Sequence, residues 1–176
     1  MAAMRISVDA RKQDFEPALN WLAARVGGGV KQRIGNYEKH TKNDPMLAAH
    51  FRHTYALEYA LFDACRYRRT TGRVPKGSAY DALYTFAVPA MRIHQQLPVE
   101  GRRPFEGKLQ DFVSGTYGAR PFAYEIGIAT HLMHKGWDVE FVDLCGLAQF
   151  DFLASLGDRA ESDISLPKNP LSHFPG

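Results

Sequence analysis

An α+β fold is predicted for this chain by three observations. Apolar residues recur at helical spacing, with capping signals between the runs, through about residue 118. From Pro121 the pattern changes to one apolar helix, a glycine stop and alternating, strand-like segments. A composition of 45% hydrophobic and 12% aromatic residues supplies the apolar surface of a packed core rather than of a disordered chain. The architecture expected is a helical N-terminal region of about four helices, then a helix laid on a short sheet. The boundaries expected are 1–118 for the basic helical region, 119–156 for the α/β portion and 157–176 for an irregular tail.

Asp14 is placed to cap the first helix, with Pro17 in its first turn and Leu19, Leu22, Ala23 and Val26 on its apolar face. Gly27-Gly28-Gly29 is expected to end it, because three consecutive glycines lose much backbone entropy in a helix. Residues 30–43, with Lys31, Arg33, Lys39 and Lys42, then read as a basic linker. Asn43-Asp44-Pro45 opens the next helix: Asp44 offers an N-cap oxygen and Pro45 needs no intrahelical donor. Leu47, Phe51, Leu57, Leu61 and Phe62 carry its apolar face to about Arg69, and Thr70-Thr71-Gly72 stops it. Ser78 and Asp81 have the spacing of a capping box for a helix that carries Leu83, Phe86, Ala87, Met91 and Ile93. Pro89 should kink that helix. A short helix over 104–113 precedes Gly115.

The helix after Pro121 has Phe122, Ile126, Ala129 and Met133 on one face and Tyr124, Ile128 and Leu132 on another, so it should be buried nearly all round. Glu125 is the polar exception on it. Gly136 fits a left-handed C-terminal stop. Trp137, Val139 and Phe141 alternate with Asp138, Glu140 and Val142 as a half-wet strand does, and Phe150-Asp151-Phe152 reads as a second strand.

No apolar run approaches the length of a membrane span, and the first residues lack the apolar segment of a signal peptide. Cys65 and Cys145 are too few for a disulfide framework or a zinc knuckle, so a reduced, cytoplasmic protein is expected. The net charge is +3, unevenly spread: residues 1–120 hold 19 Lys/Arg against 11 Asp/Glu, and residues 121–176 hold 3 against 8. A basic half suits phosphate contact and an acidic half suits cations, but for so modest an asymmetry two solvated faces are the better expectation.

Glu125 on a buried helix and Asp151 on a following strand can converge on one divalent cation, Mg²⁺ or Mn²⁺. Arg66, Arg68, Arg69, Arg73 and Lys76 form the densest basic cluster, at a helix end and its loop, where phosphate contact and helix-dipole pairing are both served. His50 with His53 and His131 with His134 have metal-ligand spacing but lack a third ligand in register, so surface histidines are the better expectation. The other reading of Glu125 is a structural carboxylate bonded to backbone or to an arginine such as Arg120, and that of Asp151 a strand-end acid facing solvent. No nucleophile elbow and no phosphate-binding glycine loop is present, and the two cysteines read as core thiols.

Glu125, Ala129, Gly136 and Asp151-Phe152, in that order over residues 120–156, resemble the first half of the PD-(D/E)XK, restriction-endonuclease-like nuclease core. The resemblance implies metal-dependent DNA phosphodiester hydrolysis, with Glu125 and Asp151 as catalytic metal ligands and the basic cluster on the nucleic acid. The chain departs from the family after about Leu156: no acidic-x-Lys triplet follows, so the site would lack one ligand and its lysine. A two-strand remnant would also expose a sheet edge, which predicts either a homodimer through that edge or weak stability. Two alternatives belong to other classes: a non-catalytic nucleic-acid-binding module, and a helical protein-interaction domain in which Glu125 is structural.

Overall fold

A computed structural model describes residues 11–142 and 152–156. Six α-helices lie among them: α1 Phe15–His40, α2 Pro45–Thr54, α3 Ala56–Thr71, α4 Asp81–Gln96, α5 Val99–Ser114 and α6 Arg120–His134. Strands β1 Trp137–Glu140 and β2 Leu153–Leu156 follow. They pair antiparallel, with Val139 opposite Ala154 and Trp137 opposite Leu156. The described chain is thus mostly helical with a small two-stranded sheet, as the α+β expectation required in outline.

The largest departure from expectation is α1, which runs straight through Gly27-Gly28-Gly29 and makes residues 30–40 helix rather than linker. Its buried positions Ala18, Leu19, Leu22, Val26, Val30 and Ile34 explain why: the apolar stripe continues past the glycines at helical spacing. Burial of Val30 and Ile34 offsets the entropic cost, which is about 1 kcal/mol per glycine relative to alanine. Gly29 has a further reason to be there. A Cβ at that position would stand 2.4 Å from Val113 Cγ1 and 2.9 Å from Val113 Cβ, so α5 crosses α1 at glycine distance. A Cβ at Gly28 would meet nothing within 4 Å. Gly28→Ala is therefore expected to raise stability by roughly 0.5–1 kcal/mol, and Gly29→Ala to lower it by about 1–3 kcal/mol through overpacking. Urea unfolding of the two variants checks this, and equal midpoints would contradict the close crossing.

Asp44 caps α2 as expected, its Oδ1 accepting from the Leu47 amide at 2.9 Å. The single helix expected over 45–69 is instead broken at Tyr55 (φ −111°, ψ 40°). Tyr55 is buried and its hydroxyl donates to the Thr116 carbonyl at 2.8 Å, so the break turns a large side chain inward to meet the α5–α6 connection. Gly72, at φ +69°, ends α3 in the left-handed conformation expected of it. Ser78 does not cap α4. A 3-10 turn over Ser78–Tyr80 leads into the helix at Asp81, and α4 continues through the buried Pro89. α5 begins at Val99, earlier than the expected 104, with Pro104 in its interior.

α1 packs on α3, α4 and α5, and α6 packs on α4 and β1. An aromatic knot joins three of these helices: Phe105 and Phe122 rings lie 5.0 Å apart, Phe86 and Phe112 5.4 Å, and Phe86 and Phe122 6.0 Å. α6 is buried on one face only, at Phe122, Ile126, Ala129 and Thr130, whereas Tyr124 is 72% exposed. Tyr124, Ile128 and Leu132 follow helical spacing, but a tyrosine serves a wet surface as well as a core, and here it stands in the wet one. Gly136, at φ +88°, makes the turn into β1. Val139 is buried while Leu153 and Leu156 on β2 are more than half exposed.

Candidate functional site

Glu125 sits on α6 between the buried Phe122 and Ile126, so its side chain leaves the helix at the edge of the apolar face. That side chain is only 10% exposed. Lys108, one residue from the buried Leu109 on α5, reaches it: Nζ donates to Glu125 Oε1 at 2.9 Å and to Oε2 at 2.8 Å. The ammonium also lies 5.8 Å from the Phe122 ring centroid, on which its positive charge is favoured. The contact offsets part of the cost of burying the carboxylate. A lysine from another helix is thus a partner of Glu125, and Arg120 is exposed.

Asp151 lies outside the described residues, as do Cys145 and the tail over 157–176. Asp138 and Glu140 alternate with the buried Val139 along β1, which directs them to the opposite face of the sheet. Among the described residues no group of three or more His, Cys, Asp or Glu side chains is placed to hold a metal ion. His50, His53, His131 and His134 are exposed, as expected of surface histidines. Of the two carboxylates expected to hold a divalent cation, Glu125 alone is among the described residues, and both its oxygens accept from Lys108.

The basic cluster divides into three parts. Arg68 turns inward to α1, where it donates to Asn20 Oδ1 and stands 3.5 Å from Glu16. Arg66 and Arg69 face a cavity between α1 and α3. Arg73 and Lys76 are exposed on the connection to α4. That connection is pinned by the Tyr84 hydroxyl, which donates to the Pro75 carbonyl at 3.0 Å and whose burial pushes its pKa up to about 12. Helical spacing sends Arg68 away from Arg66, and it meets Arg69 at a shallower hollow with Leu19 and Gly72.

Two polar groupings were not legible beforehand. His94 on α4 is buried, and its Nε2 lies 3.0 Å from Glu106 Oε1 on α5, with Arg25 Nε 3.4 Å from the same oxygen. Burial lowers the His94 pKa; the hydrogen bond to Glu106 opposes that shift and Arg25 reinforces it. The imidazole also packs edgewise on Phe105, 5.6 Å between centroids, as part of the core rather than at a cleft. The second grouping is Glu58, fully buried on α3, whose Oε1 accepts from the Ala119 amide at the start of α6 at 2.8 Å. Arg33 reaches the same connection, donating to the Phe112 and Gly115 carbonyls at 3.2 and 2.6 Å. Lys108, Glu58 and Arg33 share one difficulty for sequence reading: each acts through a contact far along the chain, with no local spacing to announce it.

Comparison with known proteins returns no match, whether to family models, to curated proteins or to solved structures.

Proposed function

We propose that this chain is a nuclease-like protein related to the metal-dependent DNA phosphodiester hydrolases of the PD-(D/E)XK type, with a site that lacks the acidic-x-Lys half. Glu125 and Asp151 are its metal-binding carboxylates, for Mg²⁺ or Mn²⁺, and the exposed cations of segment 66–76 contact the nucleic acid backbone. The observation that carries the reading is Glu125 itself: a nearly dry carboxylate on the helix that enters an antiparallel hairpin, with a lysine ammonium 2.8 Å away. Phosphodiester hydrolysis asks for a cation beside the metal-binding carboxylates to offset charge that develops on the phosphate. Lys108 is a lysine at Glu125 that the linear motif lacks. A bound metal would supply a water of lowered pKa and stabilise the leaving oxygen. The exposed β2 residues Leu153 and Leu156 accord with a homodimer through the sheet edge. No helix among the described residues is long and apolar enough to cross a membrane, so no membrane partner is proposed.

Calorimetric titration of Mg²⁺ and Mn²⁺ into the folded chain, with Asp151→Asn as control, tests the site, and a plasmid-nicking assay tests the reaction. Binding is expected in the wild type and lost in the control. Cleavage is expected to require the metal and to fall roughly a hundredfold or more in Glu125→Gln and Asp151→Asn. Metal binding without cleavage would leave an inactive relative. Salt-sensitive DNA binding with neither would return the non-catalytic module in its place.

A further inference from the structure

We propose that the cavity between α1 and α3 binds a nucleoside 5′-phosphate, either free or as one unit of a single strand. The cavity measures about 370 Å³, toward the lower end of small-molecule pockets, and admits one nucleotide rather than a dinucleotide. Its walls are mostly apolar, with Ala23 and Val30 from α1 and Leu61 and Phe62 from α3. Lys31, Arg66 and Arg69 stand around it, and no carboxylate lines it among the described residues. Those three cations make no salt bridge with any described residue, unlike Arg68 beside them. An apolar hollow with three cations around it suits a ligand that is flat and apolar at one end and anionic at the other.

Gly27 and Gly28 strengthen the case. Both line the cavity from the middle of α1, where each costs the helix stability relative to alanine. Packing within the chain does not require either. A Cβ at Gly27 would meet only Ala23 Cβ, at an ordinary 3.5 Å, and one at Gly28 would meet nothing within 4 Å. Gly29, by contrast, is needed for Val113. Bare backbone in a basic, apolar hollow leaves room for a planar base to lie against the helix, with its phosphate at Lys31, Arg66 and Arg69. Cys65 provides a thiol at the wall, its pKa raised by burial. A set of walls with so few polar groups reads the size of a base rather than its hydrogen-bonding edge, so purines should bind better than pyrimidines without further discrimination.

The cavity shares Arg66 and Arg69 with the segment assigned to the nucleic acid, but none of its lining residues belongs to α5 or α6 and the test contains no metal, so its failure and the failure of the metal-site reading are separate results. AMP is titrated into the full chain, with adenosine, inorganic phosphate and a short oligo-dA strand as parallel probes. AMP is expected to bind roughly tenfold or more tightly than either adenosine or phosphate alone. Gly27→Leu fills the hollow without removing charge, and it is expected to weaken AMP by roughly tenfold or more while the unfolding temperature holds or rises. Arg66→Gln with Arg69→Gln should weaken AMP and leave adenosine unchanged. AMP should also slow alkylation of Cys65 by iodoacetamide, followed at that residue by mass spectrometry. Oligo-dA that binds more tightly than AMP, with the same loss in Gly27→Leu, assigns the ligand to a strand, and the reverse order assigns it to a free nucleotide. AMP that fails to bind the folded wild type, binds no better than phosphate, or binds Gly27→Leu equally well overturns the proposal.

Discussion

Gly118→Ala is expected to be among the most damaging single-methyl additions to this chain. Gly118 sits at φ +58°, so an alanine there carries left-handed strain of about 1–2 kcal/mol before any contact is counted. Its Cβ would also stand 1.9 Å from Glu58 Oε1 and 2.8 Å from Tyr55 Cδ1. Glu58 cannot move aside without giving up the Ala119 amide, and an unpaired buried donor costs about 1–3 kcal/mol more. Together these predict a loss of roughly 3–5 kcal/mol and a fall in unfolding temperature on the order of 10 °C. Gly72→Ala is the control: it shares the positive φ, but its Cβ meets nothing within 4 Å, so only the strain of about 1–2 kcal/mol should appear. Thermal unfolding followed by circular dichroism compares the two, and equal shifts would remove the steric argument.

Glu58 itself carries the second large effect. Its Oε1 caps the start of α6, a position where negative charge is favoured by the helix dipole, while Oε2 is buried without a hydrogen bond among the described residues. Burial pushes its pKa above the ordinary glutamate value; the Ala119 amide, the Glu58 amide and the charge of Arg33 pull the other way without cancelling it. Glu58→Ala removes the acceptor and leaves a cavity, for an expected loss of about 3 kcal/mol. Glu58→Gln keeps an acceptor but cannot ionise. With the folded pKa raised, the stabilisation due to the protonated form is complete below the ordinary value near 4.5 and is lost as pH rises through the higher folded value. The glutamine variant should therefore gain on the wild type as pH is raised through that window. Denaturant midpoints measured at several pH values decide it; parallel curves for the two proteins would mean that Glu58 does not titrate with folding.

Local signals carried much of the fold. The Asp44 cap, the Gly72 and Gly136 turns, α6 and β1 follow from residues within a turn or two of one another. What misled was local chemistry overridden by partners distant in sequence. The three glycines of α1 spoke for a break, while Val30 and Ile34 beyond them spoke for continuation, and only packing against α3 and α5 decides between them. The break at Tyr55 has no glycine or proline to mark it; it exists because the ring turns toward Thr116. At the candidate site, Glu125 was legible as a polar residue on an apolar helix, but Lys108 was not, since its approach depends on how α5 and α6 cross. The split of the basic cluster was legible in principle, because helical spacing sends Arg68 away from Arg66.

The course of α1 has a consequence for how the chain is made. Its apolar stripe, from Ala18 to Ile34, finds its cover on α3, α4 and α5, all of which leave the ribosome later. Glycines at its centre make it a poor helix in isolation, so it has little structure of its own while it waits. Its central turns stay wet until the residues around Phe112 and Val113 emerge and α5 can close over Gly29. The chain up to about Val113 must therefore be synthesised before α1 becomes worth forming, which exposes its apolar stripe to chaperones until then.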